Sequence, residues 1–300
     1  MASISLILDV FQRHRNGFQP GSWFVYPLTS ETYAEVLYRL RSDPDLGQYV
    51  ECKLRYDYDP FRSLLTIRRL TPFHEIFCAS VVGEISRQLD IIRNSNCYEA
   101  GFAKEIWPFA SSRVRLPETT DDGNVEYITR DPDASFGHYK AHFPGVIIEI
   151  CYSHKRRNIR DLADDYILCT DGSIKAVACL DIEYGDSKQA TISIWRPAYR
   201  VRNGVEVFEA SPEVNEEIFR TNDGLPSETD LLQLNLPDFG TTDLTNNYTD
   251  LCRHHIIISS QKLCGFLSDA ELRQKTEERH IGSADRIRPG VQKRRGNSGF

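Results

Sequence analysis

Apolar residues recur at helical spacing in several stretches of the chain and alternate with polar ones in others. Tyr33, Val36, Leu37 and Leu40 form one stripe, with Thr29 or Ser30 ahead as a cap, so the first block predicts a helix. Residues 49–58 and 63–69 read as strands joined at Asp59-Pro60, which suggests a hairpin. A second helix is expected over 72–92. Pro72 suits its first turn, where an amide hydrogen would have no helical partner, and His74 and Glu75 fall in that turn.

From about residue 110 to 197 the pattern is strand-rich. Residues 111–116 alternate as an edge strand would. The acidic loop 118–124 leads to a strand carrying Arg130-Asp131-Pro132-Asp133-Ala134-Ser135-Phe136. Residues 145–151 are almost continuously apolar and predict a central strand. Ile159, Leu162, Ala163, Tyr166 and Ile167 then give a helix, 174–182 a buried strand, and 190–195 an alternating strand that closes the unit. Further on, 218–220 and 231–236 are expected to pair across Asn222-Asp223-Gly224. Residues 256–267 are apolar, and Ser268 with Glu271 has the spacing of a capping box opening a short polar helix. Strands interleaved with helices place the chain in the α/β class, with a domain over 1–200, an extension over 201–280 and a basic, disordered tail over 281–300.

Composition narrows the functional classes. The 300 residues are 40% apolar, enough for a sizeable core. A net charge of −7 argues against coating nucleic acid by bulk charge, so any polyanion site must be a local patch. No apolar run is long enough for a membrane span, and the stretch 4–11, interrupted by Asp9, does not read as a secretory signal. The eight cysteines contain no Cys-x-x-Cys pair and read as reduced core thiols, consistent with an intracellular, cytoplasmic or nuclear protein.

Glu149 is the only charge within 146–151, and a carboxylate there is costly unless something neutralises it. A basic side chain such as Arg157 or Arg160 would serve. So would a hard divalent cation shared with Asp133 on the preceding predicted strand, since two close carboxylates repel until a cation lies between them.

Pro132-Asp133-Ala134-Ser135-Phe136 followed by Pro144-Gly145-Val146-Ile147-Ile148-Glu149-Ile150 resembles the PD-(D/E)XK nuclease superfamily, and more closely the restriction-endonuclease-like proteins of fungi. Thr71-Pro72-Phe73-His74-Glu75, Tyr152-Ser153-His154-Lys155, residues 162–167 and Ile194-Trp195-Arg196-Pro197 fit the same likeness, which covers roughly 30–200. The resemblance implies a restriction-endonuclease-like mixed central sheet flanked by helices, here with an N-terminal helix-hairpin and a C-terminal extension. It implies a Mg²⁺- or Mn²⁺-dependent endonuclease hydrolysing DNA phosphodiester bonds. Asp133 and Glu149 would hold the metal with the Ile150 carbonyl, joined by Glu75 from the first core helix. The family's lysine, two positions after the Glu, is replaced by Cys151, which strand alternation puts on the Glu149 face. A thiol supplies no cation, and Lys155 is the substitute that would orient water.

His154, Arg156, Arg157 and Arg160 form the basic run expected to contact the nucleic-acid backbone. The missing lysine equally supports an inactive nuclease fold kept for binding nucleic acid or protein. No membrane partner is expected, and pairing of two copies is left open. His254-His255 invites a metal, but neighbours on a strand point oppositely and no third ligand is in view.

Overall fold

Side-chain caps set where the chain turns into its first helices. Ser3, Thr29, Asp43 and Thr71 each accept a first-turn amide, opening α1 (Ile4–Arg15), α2 (Ser30–Ser42), α3 (Pro44–Cys52) and α4 (Pro72–Arg93). In α3 and α4 a proline takes the first position, where its missing amide costs nothing. These elements come from a computed structural model that describes residues 1–18, 23–68, 71–152, 159–183, 187–228 and 232–278. The tail over 281–300 lies outside the described residues.

Strand β1 (Trp23–Pro27) lies between α1 and α2, and β2 (Arg55–Asp59) and β3 (Leu64–Arg68) follow α3. The expected hairpin is β2–β3, but its first strand is shorter than 49–58. Leu46 and Val50, four apart and buried, hold residues 44–52 as a helix over the N-terminal core instead. Next come α5 (Ala100–Lys104), β4 (Ile106–Ala110), β5 (Val114–Thr119), β6 (Val125–Arg130), β7 (Ala134–His138), β8 (Val146–Tyr152), α6 (Ile159–Leu168) and β9 (Ala176–Ile182). The chain ends in β10 (Ala190–Arg202), β11 (Val205–Arg220), β12 (Leu232–Asn235), α7 (Thr242–Thr245), β13 (His255–Ile258) and α8 (Ser260–Glu278).

Two sheets carry the architecture. The first has the order β1-β3-β2-β6-β5 and is antiparallel throughout; the second has the order β11-β10-β9-β8-β7-β4. In the second, β8 and β9 run parallel and are joined by α6, while the other pairs are antiparallel. The protein is therefore α/β, with a mixed sheet flanked by helices. Alternation sorts its faces. Val146, Ile148 and Ile150 face the core shared with α4 and α8, whereas Ile147 faces α6 and the five-stranded sheet.

Three elements differ from the sequence pattern. The predicted strand through 130–136 is broken at Asp131-Pro132-Asp133, where the chain leaves one sheet at Arg130 and enters the other at Ala134. The strand expected over 190–195 runs on to Arg202 and turns back through Asn203-Gly204, both at positive φ, into β11. Asn-Gly is the two-residue turn whose twist matches antiparallel strands, so this hairpin was readable. Residues 218–220 accordingly belong to β11, and β12 pairs with β13 rather than with them.

Ser268 lies inside α8, which begins at Ser260, so no capping box opens there. Its hydroxyl donates to the Cys264 carbonyl, and Leu263, Leu267 and Ala270 continue one buried stripe. Phe219, Leu232, Leu236 and Ile256 join that stripe in the core beneath the mixed sheet, so much of 201–280 packs as part of the central layer.

Candidate functional site

The break between β6 and β7 builds the site. Because β7 starts at Ala134, the β8 amide of Ile150 lacks a strand partner there and donates to Asp133 Oδ2 at 2.7 Å. Three arginines brace the crossover: Arg55 donates to the Pro132 carbonyl at 2.9 Å, Arg68 to the Asp131 carbonyl, and Arg113 to both oxygens of Asp131 at 2.8 and 3.0 Å. Asp57 reciprocates from β2, accepting the Asp131 amide at 2.9 Å.

Asp133 in the crossover and Glu149 on β8 converge, but on a guanidinium. Arg68 Nη1 lies 3.5 Å from Asp133 Oδ1 and 3.5 Å from Glu149 Oε2, and Nη2 lies 3.4 Å from Asp57 Oδ1. Arg68 and all three carboxylates are buried. Tyr166 on α6 donates its hydroxyl to Glu149 Oε1 at 2.8 Å, and His74 Nε2 on α4 lies 3.1 Å from Asp133 Oδ2.

The charges respond to this packing. Burial opposes the charge on Arg68, yet Asp57, Asp133 and Glu149 hold its pKa well above the ordinary value. Burial also raises Asp133, but His74, Arg68 and the Ile150 amide outweigh it and keep the carboxyl below its usual range. For Glu149 burial and the neighbouring Asp133 charge win over Arg68, pushing the carboxyl up to about 7. Tyr166 is raised, first by burial and then by Glu149, and so stays a phenol that can donate.

The other expected residues fall elsewhere. Glu75 is exposed, and it is His74, its neighbour in the first turn of α4, that reaches Asp133. Ile150 meets Asp133 through its amide. Cys151 lies beyond Glu149 on β8, a free thiol that hydrogen-bonds the free thiol of Cys179 on β9. Lys155, His154, Arg156 and Arg157 lie outside the described residues. Arg160 is 68% exposed and 4.0 Å from Asp164 on its own helix.

Arg68 and Asp57 carry the site and were not singled out from the sequence. Their signal lay in the hairpin: Leu65 and Ile67 face the apolar core, so Thr66, which pairs with Asp57, and Arg68, which pairs with Arg55, face the other way. A second charged group adjoins the first. Arg130 bridges Asp59 at 3.2 Å and also bonds Asp165, while Arg62 meets Asp59 at 2.6 Å and Asp165 at 3.3 Å.

The residues present do not fit a Mg²⁺ ion between Asp133 and Glu149. A hard cation needs several oxygens around about 2.1 Å from it, with waters completing an octahedron. Here the Arg68 guanidinium lies 3.5 Å from one oxygen of each carboxylate and bonds only that of Glu149, leaving Asp133 Oδ1 without a hydrogen bond, while the Ile150 amide and Tyr166 hydroxyl take the other two oxygens. The cluster can hold and share a proton through Glu149. Neither the protein-family models nor the curated proteins compared with this chain give a match.

Proposed function

We propose that this chain is a restriction-endonuclease-like protein that binds DNA without hydrolysing it. The observation that carries the reading is Arg68, whose guanidinium occupies the place between Asp133 and Glu149 where the resemblance calls for a metal ion. A planar monocation with five donors supplies positive charge there but not the chemistry of a metal: it offers no coordinated water to attack a phosphodiester. Cys151 supports the same reading, since the lysine that would activate water is absent from the strand.

DNA is the favoured ligand because His154, Lys155, Arg156, Arg157 and Arg160 follow β8 directly in sequence, concentrating positive charge in a chain that is otherwise acidic. Purified protein incubated with plasmid and Mg²⁺ or Mn²⁺ should leave the DNA intact. Fluorescence anisotropy with a labelled duplex should show binding that weakens with salt and drops at least about tenfold on Arg157→Glu with Arg160→Glu. Cleavage that Asp133→Ala abolishes would restore the metal-dependent hydrolase. Intact plasmid with no duplex binding would remove DNA as the ligand.

A further inference from the structure

A separate cluster lies where the turn after α4 meets the segment leading into β13. Cys97 Sγ, a Glu99 carboxylate oxygen and a His254 ring nitrogen all lie within 4.8 Å of one another. They come from segments more than 150 residues apart, and the His254 Nε2 to Glu99 Oε2 separation is 3.6 Å. That is long for a hydrogen bond and close to the spacing of two ligands on one tetrahedral ion, roughly 3.3–3.6 Å for metal–ligand bonds near 2 Å.

The frame that brings them together is packed independently of the three side chains. Tyr98 and Phe102 pack their rings against Tyr248, and the Tyr98 hydroxyl donates to the Asn247 carbonyl. His254 is fixed through its backbone, its amide donating to the Leu251 carbonyl and its own carbonyl accepting from Leu236. Glu99 is buried at the N-terminus of α5, while Cys97 and His254 are partly exposed, so an ion has a path in and one face toward solvent.

We propose that Cys97, Glu99 and His254 form a zinc site, with water as the fourth ligand. A thiolate and an imidazole select a borderline-soft ion over Mg²⁺ or Ca²⁺, and tetrahedral zinc accepts sulfur, nitrogen and oxygen together. Binding displaces the thiol proton, leaving a thiolate and a neutral imidazole on the metal. The ion joins the end of α4 to the start of β13 across the same core. The site is distinct from the Arg68 cluster and stands whether or not the protein binds DNA.

The test uses the full chain, stripped with chelator, desalted and titrated with Zn²⁺ and with Co²⁺ as a spectroscopic stand-in. Expected are one Zn²⁺ per chain, a higher melting temperature with Zn²⁺, and a thiolate-to-cobalt charge-transfer band in the near ultraviolet. Cys97→Ser should abolish that band and His254→Ala should weaken Zn²⁺ binding at least about tenfold. Cys252→Ser, two residues from His254 and outside the cluster, should keep both. No charge-transfer band, or a band that survives Cys97→Ser, overturns the assignment and leaves His254 and Glu99 as an ion pair.

Discussion

Glu149 needs its proton more than an ordinary carboxyl does, because ionising it places a further negative charge beside Asp133 in a site closed to water. With its carboxyl pushed up to about 7 from an ordinary 4.5, the folded protein binds a proton that the unfolded chain has lost. The stabilisation from that proton is complete below about pH 4.5 and is lost as pH rises through about 7. Asp133 acts in the opposite sense: its carboxyl is lowered, so its contribution is present above its ordinary range and disappears in acid. Glu149→Gln keeps the shape of the protonated carboxyl and cannot ionise. Its thermal unfolding, followed across this pH range beside the wild type, should lack the decline toward alkaline pH, so that the variant overtakes the wild type above about pH 7. Parallel curves would show that Glu149 carries no such proton.

Among the elements, β8 sits between β7 and β9 in the mixed sheet, and the residue just before it is closely packed. A Cβ added to Gly145 would lie 2.1 Å from the Asp238 carbonyl oxygen and 2.7 Å from the Phe239 carbonyl carbon, both backbone atoms of the turn after β12. Gly145→Ala should therefore lower stability by roughly 2 kcal/mol or more in a urea titration, through displacement of that turn. An unchanged midpoint would mean the turn is loosely seated.

Elements with their own local signal were legible. Thr71-Pro72 opened α4, the apolar run predicted β8, and stripes at helical spacing predicted α2 and α6. Elements set by distant partners were not. Leu46 and Val50 made a helix where alternation suggested a strand, and the apolar run 256–267 split into β13, which pairs with β12, and α8. The site was legible in the same measure. Alternation and the Pro-Asp step brought Asp133 and Glu149 together, but Arg68 entered from a hairpin some 80 positions earlier, and nothing local to either carboxylate announces it.

At the scale of the molecule, three apolar clusters meet across a charged seam. One lies under the N-terminal helices, one between the mixed sheet and α4 with α8, and one between that sheet and α6. Arg68 on β3 joins the two sheets through Glu149 on β8, and Arg113 and Arg130 flank it, each against at least one buried carboxylate. Paired charges of this kind add little net stability, but removing one partner strands the others and is costly, typically about 3–5 kcal/mol. Residues 201–280 supply Phe219, Leu232, Leu236, Ile256, Leu263 and Leu267 to the second cluster. A chain ending at residue 200 should thus lose cooperative unfolding by calorimetry. Retention of the full-length transition would make 201–280 an independent appendage.

If the Arg68 guanidinium stands in for a metal ion, thermal unfolding of the wild-type protein should be the same with and without saturating Mg²⁺. Mg²⁺ suits an oxygen site and is a poor ligand for the thiolate and imidazole of the Cys97 cluster, so the two sites do not confuse the readout. With Arg68 held between Asp133 and Glu149, the melting temperature should stay where it is. A rise on adding Mg²⁺ that Asp133→Asn abolishes would mean that the ion displaces Arg68, and the account would be contradicted.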